Sequence, residues 1–241
     1  MDCILKAYEE TGGILGYRQM TIKIRHEQHI NINHKRIYRL MQLSGLKSVC
    51  RKKKYNYIKS TPQITTENIL SRNFKATQSC EKWLTDVTEF KYGNGKKAYI
   101  STILDLGDRS IVSYVIGHSN NNALVFETFD HAVNAHPKVR PIFHSDCGFQ
   151  YTNKSFKAKL DLFGMTQSMS RVGRCIDNGP MEGFWGTLKS EMYYLHKFED
   201  FESLSNSIDK YIDYYNTKRY QKRLNCMTPI EYRKYLFNKT A

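Results

Sequence analysis

The chain has 241 residues, of which 40% are hydrophobic and 13% aromatic, and its formal net charge is +14 at pH 7. This length and apolar content predict a folded protein with a substantial core and exclude an intrinsically disordered chain. Residues 1–60 carry much of the positive charge, with 13 Lys and Arg against 4 Asp and Glu, which favours a polyanionic partner. A basic face that serves only solubility is the alternative interpretation.

The cysteine spacing and the hydropathy pattern indicate a cellular compartment. Six cysteines, at positions 3, 50, 80, 147, 175 and 226, form no CxxC pair. We therefore expect free thiols in a reducing cytosol and no His-His-Cys-Cys zinc module. The sequence has no apolar run of 18 residues and no signal peptide, so we expect a cytoplasmic, nucleoid-associated protein without a membrane partner.

Residues 1–50 predict three short helices. The first has apolar residues at helical spacing and ends at the TGG at 11–13, and the second covers about 16–28. Asn33 is a good N-cap for the third helix, and Gly45 suits its C-terminal end. Its polar face is basic and consists of Lys35, Arg36 and Arg39. Two helices joined by a short turn, the second one basic, predict a helix-turn-helix that enters a DNA major groove. A small bundle with solvated charges is the alternative.

A basic run follows this helical segment and consists of Arg51, Lys52, Lys53 and Lys54. It is interleaved with tyrosines and continues into a polar stretch, which we interpret as a linker that follows the phosphate backbone of DNA. The predicted division of the chain is a helix-turn-helix-like DNA-binding domain at 1–50, a basic linker at 51–78, a catalytic core at 79–198 and a helical C-terminal extension at 199–241.

From about residue 80 the pattern becomes α/β. Three strands joined by turn-rich segments predict a hairpin meander, and an alternation of helices and strands follows. The predicted elements are strands at 82–88, 97–104 and 111–117, a helix at 122–135, a strand at 139–144, a helix at 153–163, a strand at 165–168 and a helix that carries Glu182. This order matches a ribonuclease H-like fold with a mixed sheet.

Three acidic residues fall where this fold would gather them at one edge of the sheet. Asp86 lies on the apolar face of the first strand, where an acid is costly unless it has a partner. Asp146 follows the strand at 139–144, and residues that bind ligands or catalyse reactions commonly lie at strand ends in mixed sheets. Glu182 and Lys189 share one face of the last helix, and Phe184 lies on the opposite face. Clustered carboxylates repel unless a cation neutralises them, so we expect Mg²⁺ or Mn²⁺. Two such ions would support phosphoryl transfer on nucleic acid.

Two residues of the last helix have two interpretations each. Lys189 would hold a DNA phosphate beside the metal site, or it would form a salt bridge with Glu182 or Glu191. Trp185 would belong either to the core or to a surface that stacks on DNA.

Other polar residues of the core are expected to have structural roles. Asp105 and Asp108 flank a hairpin turn, so turn chemistry is the favoured role for both. His144 would orient Asp146, contact DNA or simply be a satisfied structural histidine. Asp177 or Asn178 is expected to cap the Glu182 helix.

The tail from 200 to 239 predicts two helices. A stripe at helical spacing indicates a packing face against the core, and it consists of Ile208, Tyr211, Ile212 and Tyr215. Thr228 and Pro229 predict the start of the last helix. Further phosphate contacts are expected from Arg219, Lys222 and Arg223.

Four motifs together resemble the integrase core of bacterial insertion-sequence transposases, in particular the second-frame (OrfB-type) protein of the IS-three group. They are W-x-x-D-x-T at 83–88, HSDxGxQY at 144–151, QSMSR at 167–171 and DNxxxExFxxxLKxE at 177–191. GYRQM near the start and TPIEYR near the end extend the resemblance over most of the chain. Cys147 stands where the family frequently has an arginine, and Arg174 where it frequently has an asparagine. Neither is a proposed metal ligand.

The resemblance implies a DDE transposase in which Asp86, Asp146 and Glu182 bind two Mg²⁺ (or Mn²⁺) ions. Water would nick the end of the element, and the freed 3′-hydroxyl would attack a second phosphodiester. The resemblance also implies a copy-out route through a joined-end circle and a need for the upstream-frame transposase product. A homo-oligomer is expected because two DNA ends must be held at once. The alternatives are a ribonuclease H-like nuclease or resolvase without strand transfer, and a non-catalytic DNA-binding remnant.

Overall fold

The structure is a computed structural model that describes residues 1–50, 66–171 and 174–240. The predicted basic run at 51–54 lies outside the described residues. The five cysteines whose side chains are described are free thiols, as predicted. Among the described residues, no helix is both long and apolar enough to cross a membrane.

Three helices form the N-terminal unit: α1 at Asp2–Glu10, α2 at Tyr17–Gln28 and α3 at His34–Leu43. The side chain of Asn33 accepts a hydrogen bond from the backbone N–H of Lys35 at 2.8 Å, which confirms the predicted N-cap of α3. Met20 of α2 and Ile37 of α3 are fully buried in one small apolar core. The predicted helix-turn-helix arrangement is therefore present, and it leaves the side chains of its basic face exposed, namely Lys35, Arg36 and Arg39.

A five-stranded mixed sheet forms the centre of the rest of the chain. Its strands are β1 at Lys82–Tyr92, β2 at Lys96–Asp105, β3 at Ile111–Gly117, β4 at Ile142–Ser145 and β5 at Thr166–Met169. Their spatial order is β3-β2-β1-β4-β5. The pairs β1–β2 and β2–β3 are antiparallel, whereas β1–β4 and β4–β5 are parallel. The sheet therefore confirms the predicted ribonuclease H-like order, with β1 at its centre.

Helices cover both faces of the sheet. They are α4 at Asn122–Ala135, α5 at Lys154–Leu162, α6 at Gly179–Glu191, α7 at Phe201–Thr217 and α8 at Pro229–Thr240. Neighbouring residues of β1 point to opposite faces, so Trp83 packs in one apolar core with α4 and α5, and Leu84 packs in a second with α6 and α7. Strand β1 runs four residues beyond the predicted end at 88, because Phe90 continues the buried face and pairs with Ala98 of β2.

The last helix begins at Pro229, as predicted, and is held by two sets of side-chain contacts. Thr228 and Glu231 form a reciprocal capping box: each backbone N–H donates to the other side chain, at 2.8 Å and 3.2 Å. Further along α8, Arg233 Nε donates to Asp108 Oδ2 at 2.6 Å in the β2–β3 turn. The C-terminal helix is thereby joined to the central sheet.

The turn roles predicted for Asp105 and Asp108 are confirmed. Asp105 Oδ1 accepts from the backbone N–H of Gly107 at 2.6 Å, and Asp108 Oδ1 accepts from that of Ser110 at 2.8 Å. Both aspartates are fully buried. The second oxygen of each aspartate accepts a hydrogen bond from Ser79, and that of Asp108 also accepts one from Arg233. The turn is therefore joined to the segment before β1 and to α8.

Candidate active site

Asp86 and Asp146 come from neighbouring parallel strands. Asp86 lies in the middle of β1, opposite Thr102 of β2. Strand β4 pairs with β1 through Leu84 and His144, and Asp146 follows two residues after His144. Because parallel strands run in the same direction, Asp86 and Asp146 emerge at the same level of the sheet.

The carboxyl groups of Asp86 and Asp146 lie close together and are buried. Burial, together with the nearby charge of Asp146, raises the pKa of Asp86 to about 7. Burial likewise raises the pKa of Asp146. Two close carboxylates in a partly buried site are costly to ionise together, and a divalent cation between them removes that cost. The pair therefore has the chemistry of a hard-metal site.

Backbone and indole N–H groups orient both carboxylates. Asp86 Oδ1 accepts from its neighbour, the backbone N–H of Val87, at 2.9 Å, and Oδ2 accepts from Trp185 Nε1 at 3.0 Å. Asp146 Oδ1 accepts from the backbone N–H of Gly148 at 2.9 Å. A Cβ atom at Gly148 would lie 2.9 Å from the same carboxylate oxygen, so a larger residue there would crowd Asp146.

Glu182 lies beside this pair without joining it. It occupies the first turn of α6, its side chain is exposed, and its charge adds to the rise in the pKa of Asp86. In the parts of the chain that the structure describes, no three Asp, Glu, His or Cys side chains are gathered closely enough to hold a metal ion. The structure therefore brings Asp86 and Asp146 together, with Glu182 close by on a separate helix.

Helix α6 is anchored by its apolar face and by Trp185. Met181, Phe184 and Leu188 are buried against the sheet. Trp185 is also buried, with 6% of its surface exposed, and it donates to Asp86. Of the two interpretations of Trp185, the structure supports the core, and it adds a contact that the sequence did not reveal.

The predicted side-chain cap of α6 is wrong. Asn178 is the N-cap residue but makes no side-chain capping bond, and its Nδ2 donates instead to the carbonyl of Thr85 at 3.1 Å. The fully buried Asp177 accepts from Arg171 Nε at 2.8 Å and from Arg72 Nε at 2.6 Å. These partners, Arg171 foremost, hold the pKa of Asp177 well below its ordinary value. The carboxylate of Asp177 is therefore bound to both arginines, and these ion pairs connect three segments of the core.

Lys189 reaches the same edge of the sheet as the aspartates. Its Nζ donates to Thr88 Oγ1 at 2.7 Å and lies 5.1 Å from the centroid of the Phe90 ring. Thr88 is two residues after Asp86 and so faces the same side of β1. Lys189 therefore places a cation on the face of β1 that carries Asp86.

The structure does not favour the predicted phosphate contact by Arg219. Its guanidinium forms a two-bond ion pair with Glu191, at 2.7 Å and 2.8 Å, and only 13% of its side chain is exposed. A buried bidentate pair of this kind leaves little of the guanidinium for DNA. Glu191 also accepts from the hydroxyl of Tyr211 at 2.8 Å.

His144 is a structural histidine, which was one of its three interpretations. Its ring is fully buried, and its two nitrogens contact Ser168 Oγ at 2.9 Å and Ser170 Oγ at 3.1 Å. Burial lowers its pKa to about 4, so the ring is neutral at physiological pH. The neighbouring thiol of Cys147 donates to the carbonyl of Ser170 at 3.0 Å.

The sequence reasoning also missed Tyr151, the last residue of HSDxGxQY. Its side chain is buried, and its hydroxyl lies 3.1 Å from Thr85 Oγ1, next to Asp86. The charges of both aspartates raise its pKa further above the value that burial alone produces. The sequence indicated a role for Tyr151 only through its place in the same motif as Asp146. The spacing of the motif could not predict that Tyr151 contacts Thr85 of β1.

Comparison with protein families finds matches along most of the chain. A family model described as an integrase core domain matches residues 76–175, and a second integrase core model matches residues 182–237. A model described as an HTH-like domain matches residues 1–54.

Individual relatives extend over nearly the whole chain. It is 40% identical over 231 residues to the putative transposase InsK of insertion sequence element IS150 from Escherichia coli K12, covering 95% of this chain and 81% of that protein. It is 34% identical over 235 residues to the transposase of insertion sequence element IS904 from Lactococcus lactis, covering 96% and 92%.

Solved structures share the fold at low sequence identity. The HTLV-2 integrase catalytic core domain, solved in complex with magnesium, matches with a TM-score of 0.55 and 17% identity, covering 66% of this chain and 99% of that one. A chain of the simian T-cell lymphotropic virus intasome matches with a TM-score of 0.58 and 16% identity, covering 95% of this chain and 74% of that one.

Proposed function

Because the chain belongs to the transposases of bacterial insertion sequences of the IS-three group, we propose that it cleaves and joins DNA strands with Asp86, Asp146 and Glu182. The adjacency of Asp86 on β1 and Asp146, which directly follows the parallel strand β4, carries this proposal. A buried carboxylate pair in which the charge of one member raises the pKa of the other is a typical catalytic feature rather than a stabilising one.

The donor set suits Mg²⁺ or Mn²⁺. Asp86 and Asp146 offer hard carboxylate oxygens, and their repulsion favours a bound dication. We propose that both hold metal and that Glu182, exposed at the start of α6, completes the site for two ions. When bound, such ions would activate an attacking oxygen and stabilise a leaving oxygen of a phosphodiester. The magnesium of the HTLV-2 integrase core is consistent with this choice.

Hydrogen bonds within the chain would orient the groups that take part in the reaction. Trp185 and the backbone N–H of Val87 each donate to one oxygen of Asp86, and the backbone N–H of Gly148 donates to one oxygen of Asp146. Held in this way, the carboxylates need no reorganisation when DNA arrives. Lys189, fixed on Thr88, would bind a phosphate oxygen next to the scissile bond.

The remaining parts of the chain would hold DNA. Lys35, Arg36 and Arg39 project from α3, the second helix of the helix-turn-helix, and suit a major-groove contact. We propose that the basic run at 51–54 follows the phosphate backbone between a DNA-binding domain at 1–50 and a catalytic core at 79–198, with a linker at 51–78 and a helical extension at 199–241. A homo-oligomer that joins two element ends, the upstream-frame product as partner and a location at the nucleoid follow from the same proposal.

The test is a strand-transfer assay with labelled DNA from the ends of the insertion sequence that encodes the chain. The chain is assayed with Mg²⁺, alone and with the upstream-frame product, as wild type, Glu182→Gln and Glu202→Gln. Glu202 is the matched control because it is also an exposed glutamate in the first turn of a helix, α7. We expect joined strands from wild type and Glu202→Gln and none from Glu182→Gln.

Two other results would contradict the proposal. Cleavage without joining would indicate a nuclease or resolvase. DNA binding by wild type with no cleavage under any condition would indicate a non-catalytic DNA-binding protein.

A further inference from the structure

A groove of about 800 Å³ lies along the side of α6 that faces away from Glu182. Gly183 and Thr187 of α6 line it, whereas Glu182 and Lys189 project from a different side of the helix. The other walls come from the β2–β3 turn with Arg109 and from a short turn after α7 with Lys222 and Arg223. Helix α6 thus separates this basic groove from the carboxylates.

The basic groove carries positive charge on its walls. No acidic side chain of the described residues lines it. Among the described residues, Arg109, Lys222 and Arg223 form no salt bridge; the fourth cation of the lining, Arg219, is neutralised by Glu191. Lys222 and Arg223 are exposed. Three cations without a salt bridge in one concave site attract anions.

Arg109 is the most constrained of these cations. Its Nη1 atom is buried without a hydrogen-bond acceptor among the described residues, while Nη2 donates to the carbonyl of Phe74 at 3.4 Å. Burial and the charge of Arg223 lower the pKa of Arg109. Holding two guanidinium groups this close costs free energy that an anion between them would offset.

The wall formed by α6 is open at Gly183. A Cβ atom added there would meet no heavy atom of the described residues within 4 Å beyond its own helix. The groove is open and has three cations on its walls, which suits a backbone with several phosphates better than a single small anion.

We infer that the basic groove binds a DNA sugar-phosphate backbone through Arg109, Lys222 and Arg223, as a contact separate from the DNA at the carboxylates. This inference rests on the proposed function, since it adds a second DNA contact to the same protein. One flank of α6 would face the reacting phosphodiester, and the other flank would face a second segment of backbone. The positions of the two contacts on one short helix would fix how DNA lies across it.

The test measures binding of the full chain to a fluorescein-labelled duplex of mixed sequence, by fluorescence anisotropy, without divalent metal and across a range of salt concentrations. The test variant is Lys222→Ala/Arg223→Ala. Its control, Lys138→Ala/Arg140→Ala, removes one exposed Lys and one exposed Arg from the loop after α4, on the other face of the sheet. Each phosphate contact adds about 0.9 to the slope of log K against log salt.

We expect the slope to fall in magnitude by about 2 in the Lys222/Arg223 variant and to stay unchanged in the control. A second pair of variants leaves the cations intact: Thr187→Glu, which adds a negative charge to the groove, should weaken binding by about fivefold, and Thr187→Gln should not. Thermal unfolding of each variant checks that the fold is kept.

An unchanged salt slope in the Lys222/Arg223 variant would overturn the inference, as would equal binding by Thr187→Glu and Thr187→Gln. These results are independent of catalysis. If wild type joins strands but the salt slope of the Lys222/Arg223 variant does not change, only the proposed DNA contact in the groove is refuted. If the slope falls but wild type never cleaves DNA, the proposed function fails and the groove remains.

Discussion

Replacing Trp185 by Phe should weaken catalysis through Asp86 more than it weakens the fold. The substitution removes the indole N–H that donates to Asp86 Oδ2 at 3.0 Å, while most of the apolar ring area stays buried. A hydrogen bond to a charged group contributes about 1.5–3 kcal/mol. Residues that orient a metal ligand typically change metal affinity or activity by about 10–100-fold when they are mutated.

Trp83→Phe provides the matched control. Trp83 is three residues before Asp86 on the same strand and fully buried in the other apolar core, and its Nε1 has no hydrogen-bond partner among the described residues. Both substitutions should lower the free energy of unfolding by about 0.5–3 kcal/mol, because both shrink a buried side chain. Only Trp185→Phe should remove a hydrogen bond from Asp86.

The assay is the rate of strand transfer as a function of Mg²⁺ concentration, with urea unfolding of each variant in parallel. We expect Trp185→Phe to lower the rate by about 10–100-fold or to raise the Mg²⁺ requirement to a similar extent. Trp83→Phe should change neither beyond its loss of stability. Wild-type rates and metal dependence in Trp185→Phe, or equal losses in both variants, would refute a positioning role for the indole.

Three further predictions concern the polar contacts that hold the core together. Asp177→Asn should lower the free energy of unfolding by about 1–3 kcal/mol, because the buried carboxylate loses its ion pair with Arg171. Since the pKa of Asp177 lies below its ordinary value of 3.8, this stabilisation is present above about pH 4 and is lost as the pH falls below it, so urea unfolding of Asp177→Asn should depend less on pH there. Arg233→Ala should cost about 3–5 kcal/mol in the same assay by leaving the charge of Asp108 buried without its partner, whereas a loss below about 1 kcal/mol would mean that Asp108 is satisfied by its other contacts. Thr228→Ala should cost about 1 kcal/mol by removing the capping box of α8, and an unchanged melting temperature would contradict that role.

The fold could be predicted largely from local patterns. The apolar alternation at 111–117 and the helical spacing at 122–135 coincide with β3 and α4 residue for residue. Asn33 and Pro229 mark helix starts, because capping and proline geometry act within one turn of the chain. Such signals depend on neighbours in sequence, so they are readable before any tertiary contact forms.

The candidate site was only partly predictable. Asp86, Asp146 and Glu182 are prominent in the sequence because their motifs have a recognisable order and spacing, and their joint catalytic role stays a prediction. The motif spacing also suggested that Asp177 or Asn178 would cap α6. A cap needs a free acceptor, however, and Asp177 is instead occupied by arginines that lie 6 and 105 residues away in sequence.

The sequence by itself therefore determined the elements, their order and the acidic residues that the family motifs carry. Only the tertiary structure decided which polar groups meet, such as Trp185 with Asp86 across 99 residues and Arg219 with Glu191. It also decided that Arg109, Lys222 and Arg223 line one groove. Helix and strand periodicity is a property of adjacent residues, whereas the partner of a buried charge depends on how the helices pack on the sheet. That packing leaves Lys222 and Arg223 exposed and Arg219 neutralised, although all three are similar cations in one short stretch of sequence.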